Sequence, residues 1–382
     1  TQSGFHPGTG RHHMQINMKR GRLKTANRLF RQMTLPAVFG LLSLSAGQAW
    51  ANSGVAGQFV QCTATVQGNG TFNGHPALVF GSQSNGINLL NNNQPEDIQA
   101  TIHYKCINND NYTVKMHLCF NIDGGRRFTN IYAPRKMVHS RNNAQTLQLS
   151  LLKPDNTNWG TDTTANSPSS VRIGVMRIAP NTSASGTIPI RARLVNVQSN
   201  TIPTTASDYY IAEFTGGSTA LSWKAERYGT PDPSDCGNIL TNNRFPFVVQ
   251  AHVAPVCEFI SADNIDFGTH TAGSTNLKRS GNLTVRCTNG TPYTVGLIPS
   301  NNNQEGRGEM KSTNPANTDK VPYVLKKGNS SEPWGNQSSG TGSAQRFTGD
   351  SSNQTHTISA EVQNTDYTPG EYKDKVTVDI RY

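Results

Sequence analysis

Six cysteines, at positions 62, 106, 119, 236, 257 and 287, are the residues of this sequence best equipped for chemistry. No two stand in the CxxC spacing of zinc ribbons and thioredoxin-like redox centres, and an even number in an exported chain points to three disulfides. The other reactive groups do not gather. The ten histidines are scattered, and no HExxH, GxSxG, P-loop or calcium-loop pattern occurs. Gly68-Asn-Gly-Thr-Phe-Asn-Gly74 is spaced GxGxxxG rather than as a dinucleotide fingerprint, with no helix after it, and reads as a turn. One basic run, Arg126, Arg127, Arg135, Lys136, His139 and Arg141, is free of acids between Asp123 and Asp155. It could meet an anionic polysaccharide or extracellular DNA, but a charge run is more often a solvated loop. The expectation is a protein that is not an enzyme, with no cofactor, no metal site and no nucleic-acid partner.

The elements that would carry these residues are strands. At the carboxyl end, Val376, Val378, Ile380 and Tyr382 alternate with Lys375, Thr377, Asp379 and Arg381, the period of a half-buried strand. Charged residues make up only 15% of the chain, Gly, Asn, Ser and Thr abound, and no useful amphipathic helix is legible, so the chain reads as all-β. At the other end six Lys and Arg residues from Lys19 to Arg31 precede an apolar run, Leu35 to Ala46, and a small-x-small site at Ala49-Trp50-Ala51. This is a secretory leader, and residues 1–51, upstream sequence and leader together, are excluded from the fold, with the mature chain expected from Asn52. Removing them takes seven of the 34 basic residues and no acid, leaving 27 against 24, so the basic pI belongs mostly to the discarded segment. The roughly 330 residues that remain are too many for one small sandwich.

An internal repeat divides them. Cys62-Thr-Ala-Thr-Val66 and Ala77-Leu-Val-Phe-Gly81 answer Cys257-Glu-Phe-Ile260 and Asn264-Ile-Asp-Phe-Gly268. Ile102-His-Tyr-Lys-Cys106 answers Leu283-Thr-Val-Arg-Cys287, Tyr112 to Val114 answers Tyr293 to Val295, and Trp159-Gly160 answers Trp334-Gly335. One fold is used twice, at 52–252 and 253–382. The repeat pairs Cys62 with Cys106 and Cys257 with Cys287, leaving Cys119 and Cys236 by elimination, although six cysteines allow other connectivities. The first unit can complete itself with Phe245-Pro-Phe-Val-Val-Gln-Ala-His-Val253, whose alternate residues are apolar, whereas the second has no strand after its terminal one. That edge is expected to take a strand from another polypeptide.

From Cys257 to Tyr382 the sequence resembles the spore coat protein U family, the pilin module of archaic chaperone–usher pili. The matching stretches are Ile265-Asp-Phe-Gly268, Pro322-Tyr-Val-Leu325, Pro333-Trp-Gly335 and the ending Pro369-Gly-Glu-Tyr-Lys-Asp-Lys-Val-Thr-Val378. Two-domain members of the family resemble tip adhesins of Csu-type pili. The resemblance implies two immunoglobulin-like sandwiches: an amino-terminal adhesin domain, and a carboxyl-terminal pilin domain that lacks its last strand and is completed by a donor strand. It implies a periplasmic chaperone, an outer-membrane usher, a neighbouring pilin and a host or abiotic surface as partners, with export through the periplasm to the pilus tip and a role in biofilm formation. The acceptor groove would involve Tyr372, Val376, Val378, Ile380 and Tyr382.

In the first domain the loops far from the joint are expected at 107–111, 154–170 and 216–244. Leu221, Trp223, Tyr228 and Trp159 are the surface-binding candidates, although Trp223 fits an added core strand equally well and the Trp159-Gly160 pair, with its counterpart in the second half, suits an architectural role. The alternative from another class is a coat or matrix protein that self-assembles by strand exchange without a receptor. A strand-donating amino terminus would favour it, and the segment ahead of Cys62 is short and broken by Gly54 and Gly57.

Overall fold

The structure is a computed structural model that describes residues 9–16, 60–90, 97–162, 164, 166–194, 201–205, 207–236 and 243–382. The expected leader, its cleavage site and the segment at 52–59 lie outside the described residues. The strands, in chain order, are β1 (Thr9–Ile16), β2 (Val60–Gln67), β3 (Gly70–Phe72), β4 (His75–Phe80), β5 (Asp97–Asn108), β6 (Val114–Ile122) and β7 (Arg135–His139). There follow β8 (Thr146–Leu152), β9 (Val171–Ile178), β10 (Thr182–Leu194), β11 (Tyr210–Phe214), β12 (Thr219–Arg227), β13 (Phe247–Ala251) and β14 (Cys257–Ala262). The last are β15 (Thr275–Cys287), β16 (Pro292–Ile298), β17 (Arg307–Ser312), β18 (Lys320–Lys327), β19 (Gln345–Thr348), β20 (Asn353–Asn364) and β21 (Tyr372–Arg381). Among the described residues the single helical turn is Gly216–Ser218.

Alternating burial builds two main hydrophobic cores, one from Val60 to Val253 and one from Ile265 to Ile380, with a smaller cluster of Ala77, Val138, Ile211 and Val248 in the first domain. Each core belongs to a sandwich, and the two sandwiches share a path through their sheets. The first reads β2-β5-β10-β8-β7-β11 and the second β14-β15-β20-β18-β17-β21, the same six strands in the same order. The repeated Trp-Gly pairs mark one architectural point in both. Trp159 and Trp334 are fully buried, and their indole N–H groups donate to the carbonyls of Phe120 and Val295, each at 2.8 Å. The glycine after each is required by close approach, since a Cβ would stand 2.1 Å from the Pro168 carbonyl oxygen at Gly160 and 2.1 Å from that of Gln304 at Gly335.

Beyond the shared path the domains differ. In the first, β11 pairs antiparallel with β13, which pairs parallel with β4. Phe245, Phe247, Val249, Ala251 and Val253 are all fully buried, and Phe214 stacks on Phe247 at 4.8 Å. Burying such a row contributes about 1.5 to 3 kcal/mol per large side chain, which is why this strand closes its own sandwich. The first domain also adds a three-stranded sheet, β12-β6-β9. The segment 216–244, expected as one long loop, therefore contains a nine-residue strand, β12, whose alternating Leu221 and Trp223 pack on the core.

One strand comes from the amino-terminal residues. The stretch ahead of Met18, excluded from the fold on sequence grounds, contains β1, which lies antiparallel along β21 from Thr9 opposite Arg381 to Ile16 opposite Asp374. An unpaired row of backbone N–H and C=O groups draws in any extended segment that can reach it, whatever that segment's hydrophobic pattern.

Candidate functional site

The edge of β21 is the most distinctive site. Its inward row begins with Asp374 and continues through Val376, Val378 and Ile380, all at 6% exposure or less, with Tyr372 and Tyr382 packed beside them. The Asp374 carboxylate accepts a hydrogen bond from the Tyr323 hydroxyl at 2.7 Å and another from the Lys375 backbone N–H at 2.8 Å. Burial and this carboxylate push the Tyr323 phenol up, so it remains a donor. From residue 377 to 381, β21 is paired on one side by β16 and on the other by β1. In the first domain the strand beside β11 is enclosed by β4, whose counterpart by the repeat is Asn264 to Gly268. That stretch carries the same inward alternation, with Ile265 buried and Phe267 half-buried, but it forms no strand and pairs with none. Between it and the start of β21 opens a groove of about 390 Å³, lined by Ile265, Phe267, Leu277, Met310, Val362 and Tyr372 among others. Asn264–Gly268 and the start of β21 therefore both line this groove.

The surface-binding candidates of the first domain separate. Trp159 and Leu221 are fully buried and are not contact residues. Trp223 is half-buried against the core, opposite Leu118 on β6. Tyr228 is 54% exposed, with the Arg177 guanidinium 5.0 Å from its ring centroid, and the Arg227 guanidinium lies 4.9 Å from the ring of Tyr112. Of the two readings open for Trp223, the added core strand is the one the fold adopts, with Leu221 and Trp223 on its inward row.

The basic run does not form one solvated loop. Arg135 is fully buried and His139 nearly so, because both lie on β7. The guanidinium of Arg135 donates to the carbonyls of Asp123, Tyr132, Ile122 and Trp159 at 3.0, 2.8, 3.1 and 2.6 Å, and burial lowers its pKa to about 9. Arg141 pairs with Asp208 at 2.6 Å, and Arg126 faces Glu213 at 4.0 Å. Those acids come from β11 and its approach, far along the chain, which is why the run seemed uncompensated. Three disulfides join Cys62 to Cys106, Cys119 to Cys236 and Cys257 to Cys287. Among the described residues no cluster of His, Cys, Asp or Glu could hold a metal ion.

No curated protein matches the chain. Among solved structures, the chaperone–tip adhesion subunit pre-assembly complex CsuC–CsuE, from archaic chaperone–usher Csu pili of Acinetobacter baumannii, is similar at 15% identity and a TM-score of 0.42. That match covers 84% of this chain and all of the other. The CupB6 tip adhesin of Pseudomonas aeruginosa is similar at 13% identity and a TM-score of 0.32, over 79% of this chain and 89% of its own. CfaE, the adhesive subunit of CFA/I fimbria of enterotoxigenic Escherichia coli, is similar at 10% identity and a TM-score of 0.32, over 79% and 90%. Scores this low do not carry function from those proteins to this one. A direct sequence match is found at 244–379, to the family described as Spore Coat Protein U domain. It starts just ahead of β13, runs through the second sandwich and ends inside β21. By sequence, then, residues 244–379 of this chain are similar to the family described as Spore Coat Protein U domain.

Proposed function

We propose that the chain is a two-domain adhesin of a chaperone–usher pilus, working by binding and assembly without catalysis. The second domain accepts a strand along β21, first from a periplasmic chaperone and then from a neighbouring pilin after passage through the usher, and the first domain presents a contact surface at the pilus tip for attachment and biofilm formation. The observation that carries this reading is the slot between β21 and Asn264–Gly268, which in the first domain is filled by β13 and in the second is occupied only at the β21 side, by β1. The β1 residues registered opposite Ile380, Val378 and Val376 are Gly10, His12 and Met14. A donor with bulky aliphatic residues at those positions buries several side chains beside Val376, Val378 and Ile380.

The test is thermal unfolding of the chain from Asn52 to Tyr382, alone and with an alternating aliphatic strand fused after Tyr382 through a flexible linker. The expected result is a large rise in the melting temperature of the second domain. Equal melting of the two forms would mean that the sandwich is complete without a donor.

A further inference from the structure

The segment that leads into β11, residues 201–205 and 207–208, touches the second domain at two points. The Thr201 carbonyl accepts from the Asn289 side chain at 3.3 Å. Ile202 lies so close over Gly290 that a Cβ there would stand 2.8 Å from the Ile202 Cγ2. On the first-domain side the segment is tied down by hydrogen bonds. The Tyr210 hydroxyl accepts from the Ile202 N–H at 2.9 Å and donates to the Ile202 carbonyl at 3.0 Å. The Thr204 N–H donates to the Val253 carbonyl at 2.9 Å, and the Val253 N–H donates to the Thr204 hydroxyl at 3.0 Å. The last tie is Asp208, only 4% exposed, whose carboxylate pairs with Arg141 at 2.6 Å and accepts from the Thr205 hydroxyl.

Two buried histidines stand against this knot, His139 on β7 and His252 just after β13. The Nδ1 of His139 accepts from the Arg141 backbone N–H at 3.3 Å, so the neutral ring carries its hydrogen on Nε2. The Nδ1 of His252 faces the Asp208 carbonyl at 3.1 Å and must donate to it, so that ring carries its hydrogen on Nδ1. The charged groups beside His139 are the Asp208 carboxylate and the Arg141 guanidinium, and the Tyr210 ring packs edge-on to it at 5.2 Å. From β4, the Phe80 carbonyl accepts from the His252 backbone N–H at 2.9 Å. Burial lowers the pKa of both rings below the ordinary 6.5; at His139 Asp208 opposes this and Arg141 reinforces it.

We propose that this knot is an acid-sensitive latch on the joint between the domains. A second proton on His139 goes to Nδ1, where the Arg141 N–H already points, and sets a cation beside the Arg141 guanidinium. A second proton on His252 charges a buried ring whose partner is a neutral carbonyl. Both changes loosen Arg141 and Asp208, free the segment that meets Asn289 and Gly290, and let the first domain pivot on the second. Because the closed latch holds the rings neutral, it is fully stable above a pH of about 6.5 and weakens as the pH falls below that value. The latch does not depend on the assembly role of β21.

The experiment is hydrogen exchange and small-angle X-ray scattering of the full chain at about pH 7.5 and about pH 5.5, on either side of the ordinary histidine value. After correction for the intrinsic pH dependence of exchange, the Thr204 and Asp208 amides, bonded to the Val253 and Thr205 carbonyls, should exchange about threefold faster or more at the lower pH. The radius of gyration should rise with them. The double variant His139→Asn with His252→Asn keeps neutral amides able to accept from Arg141 and donate to Asp208, and should show neither change. Arg141→Gln, at a side chain 64% exposed, removes the pairing with Asp208 without entering the core, and should loosen the joint already at the higher pH. This variant decides the matter even if the double variant fails to fold. A wild-type chain indifferent to pH, an equal response in the double variant, faster exchange with an unchanged domain arrangement, or a tight joint in Arg141→Gln would each overturn the proposal.

Discussion

At the residue scale, one histidine of the second domain, His356, couples stability to pH. Its ring stacks on Phe347 with centroids 3.8 Å apart, and its Nε2 shares a hydrogen bond with the Tyr293 hydroxyl at 2.8 Å. Burial, with Lys327 nearby, lowers its pKa from 6.5 to about 4. Between those values the unfolded chain binds a proton that the folded one does not, so stability falls as pH drops from about 6.5 to 4 and this contribution levels off below. Because the ring is only half buried, the effect is on the order of 1 to 2 kcal/mol rather than the full linkage value. Chemical denaturation of the second domain across this pH range should show the slope, and His356→Gln should remove it. A slope that persists in the variant would assign it to other groups. Neither His356 nor Arg135 announced its role in sequence, because burial depends on strands that meet only in the fold.

At the element scale, β21 was legible from its period of two, and β13 from the five alternate apolar residues of the segment around it, Phe245 to Val253. β12 was legible only as one of two readings, since Trp223 suited an added core strand and an exposed loop equally well, and the strand is the one that forms. The decisive element is β21, whose Val378 is fully buried and registered between Leu297 on β16 and His12 on β1. Val378→Asp or Ile380→Asp should abolish the cooperative transition of the second domain even with a donor strand fused, because the groove would receive an unpaired charge. Lys375→Asp, at an exposed position of the same strand, should not. Normal unfolding of the Val378→Asp protein would show that this row does not form the groove.

At the scale of the whole molecule, the two cores are joined by modest contacts, such as Arg286 donating to the Leu90 carbonyl at 3.1 Å and Asn289 to the Thr201 carbonyl at 3.3 Å. Calorimetry should therefore resolve two transitions. Replacing both Cys119 and Cys236 by Ser opens a bridge between residues 117 apart in sequence and should lower the first-domain transition, by about 2 to 4 kcal/mol of stability, with the other unmoved. A shift of both transitions would mean that the domains unfold as one unit.

The all-β class, the internal repeat and the inward row of β21 follow from the sequence alone, because each is a local pattern: a period of two, a recurring Cys and Trp-Gly spacing, a motif around Asp374. What closes each sandwich and which charges are buried were decided only by tertiary structure. Those properties arise from pairs such as β11 with β13, Arg135 with Trp159, and β12 with β6, whose members are distant along the chain and acquire their environment only when the sheets close.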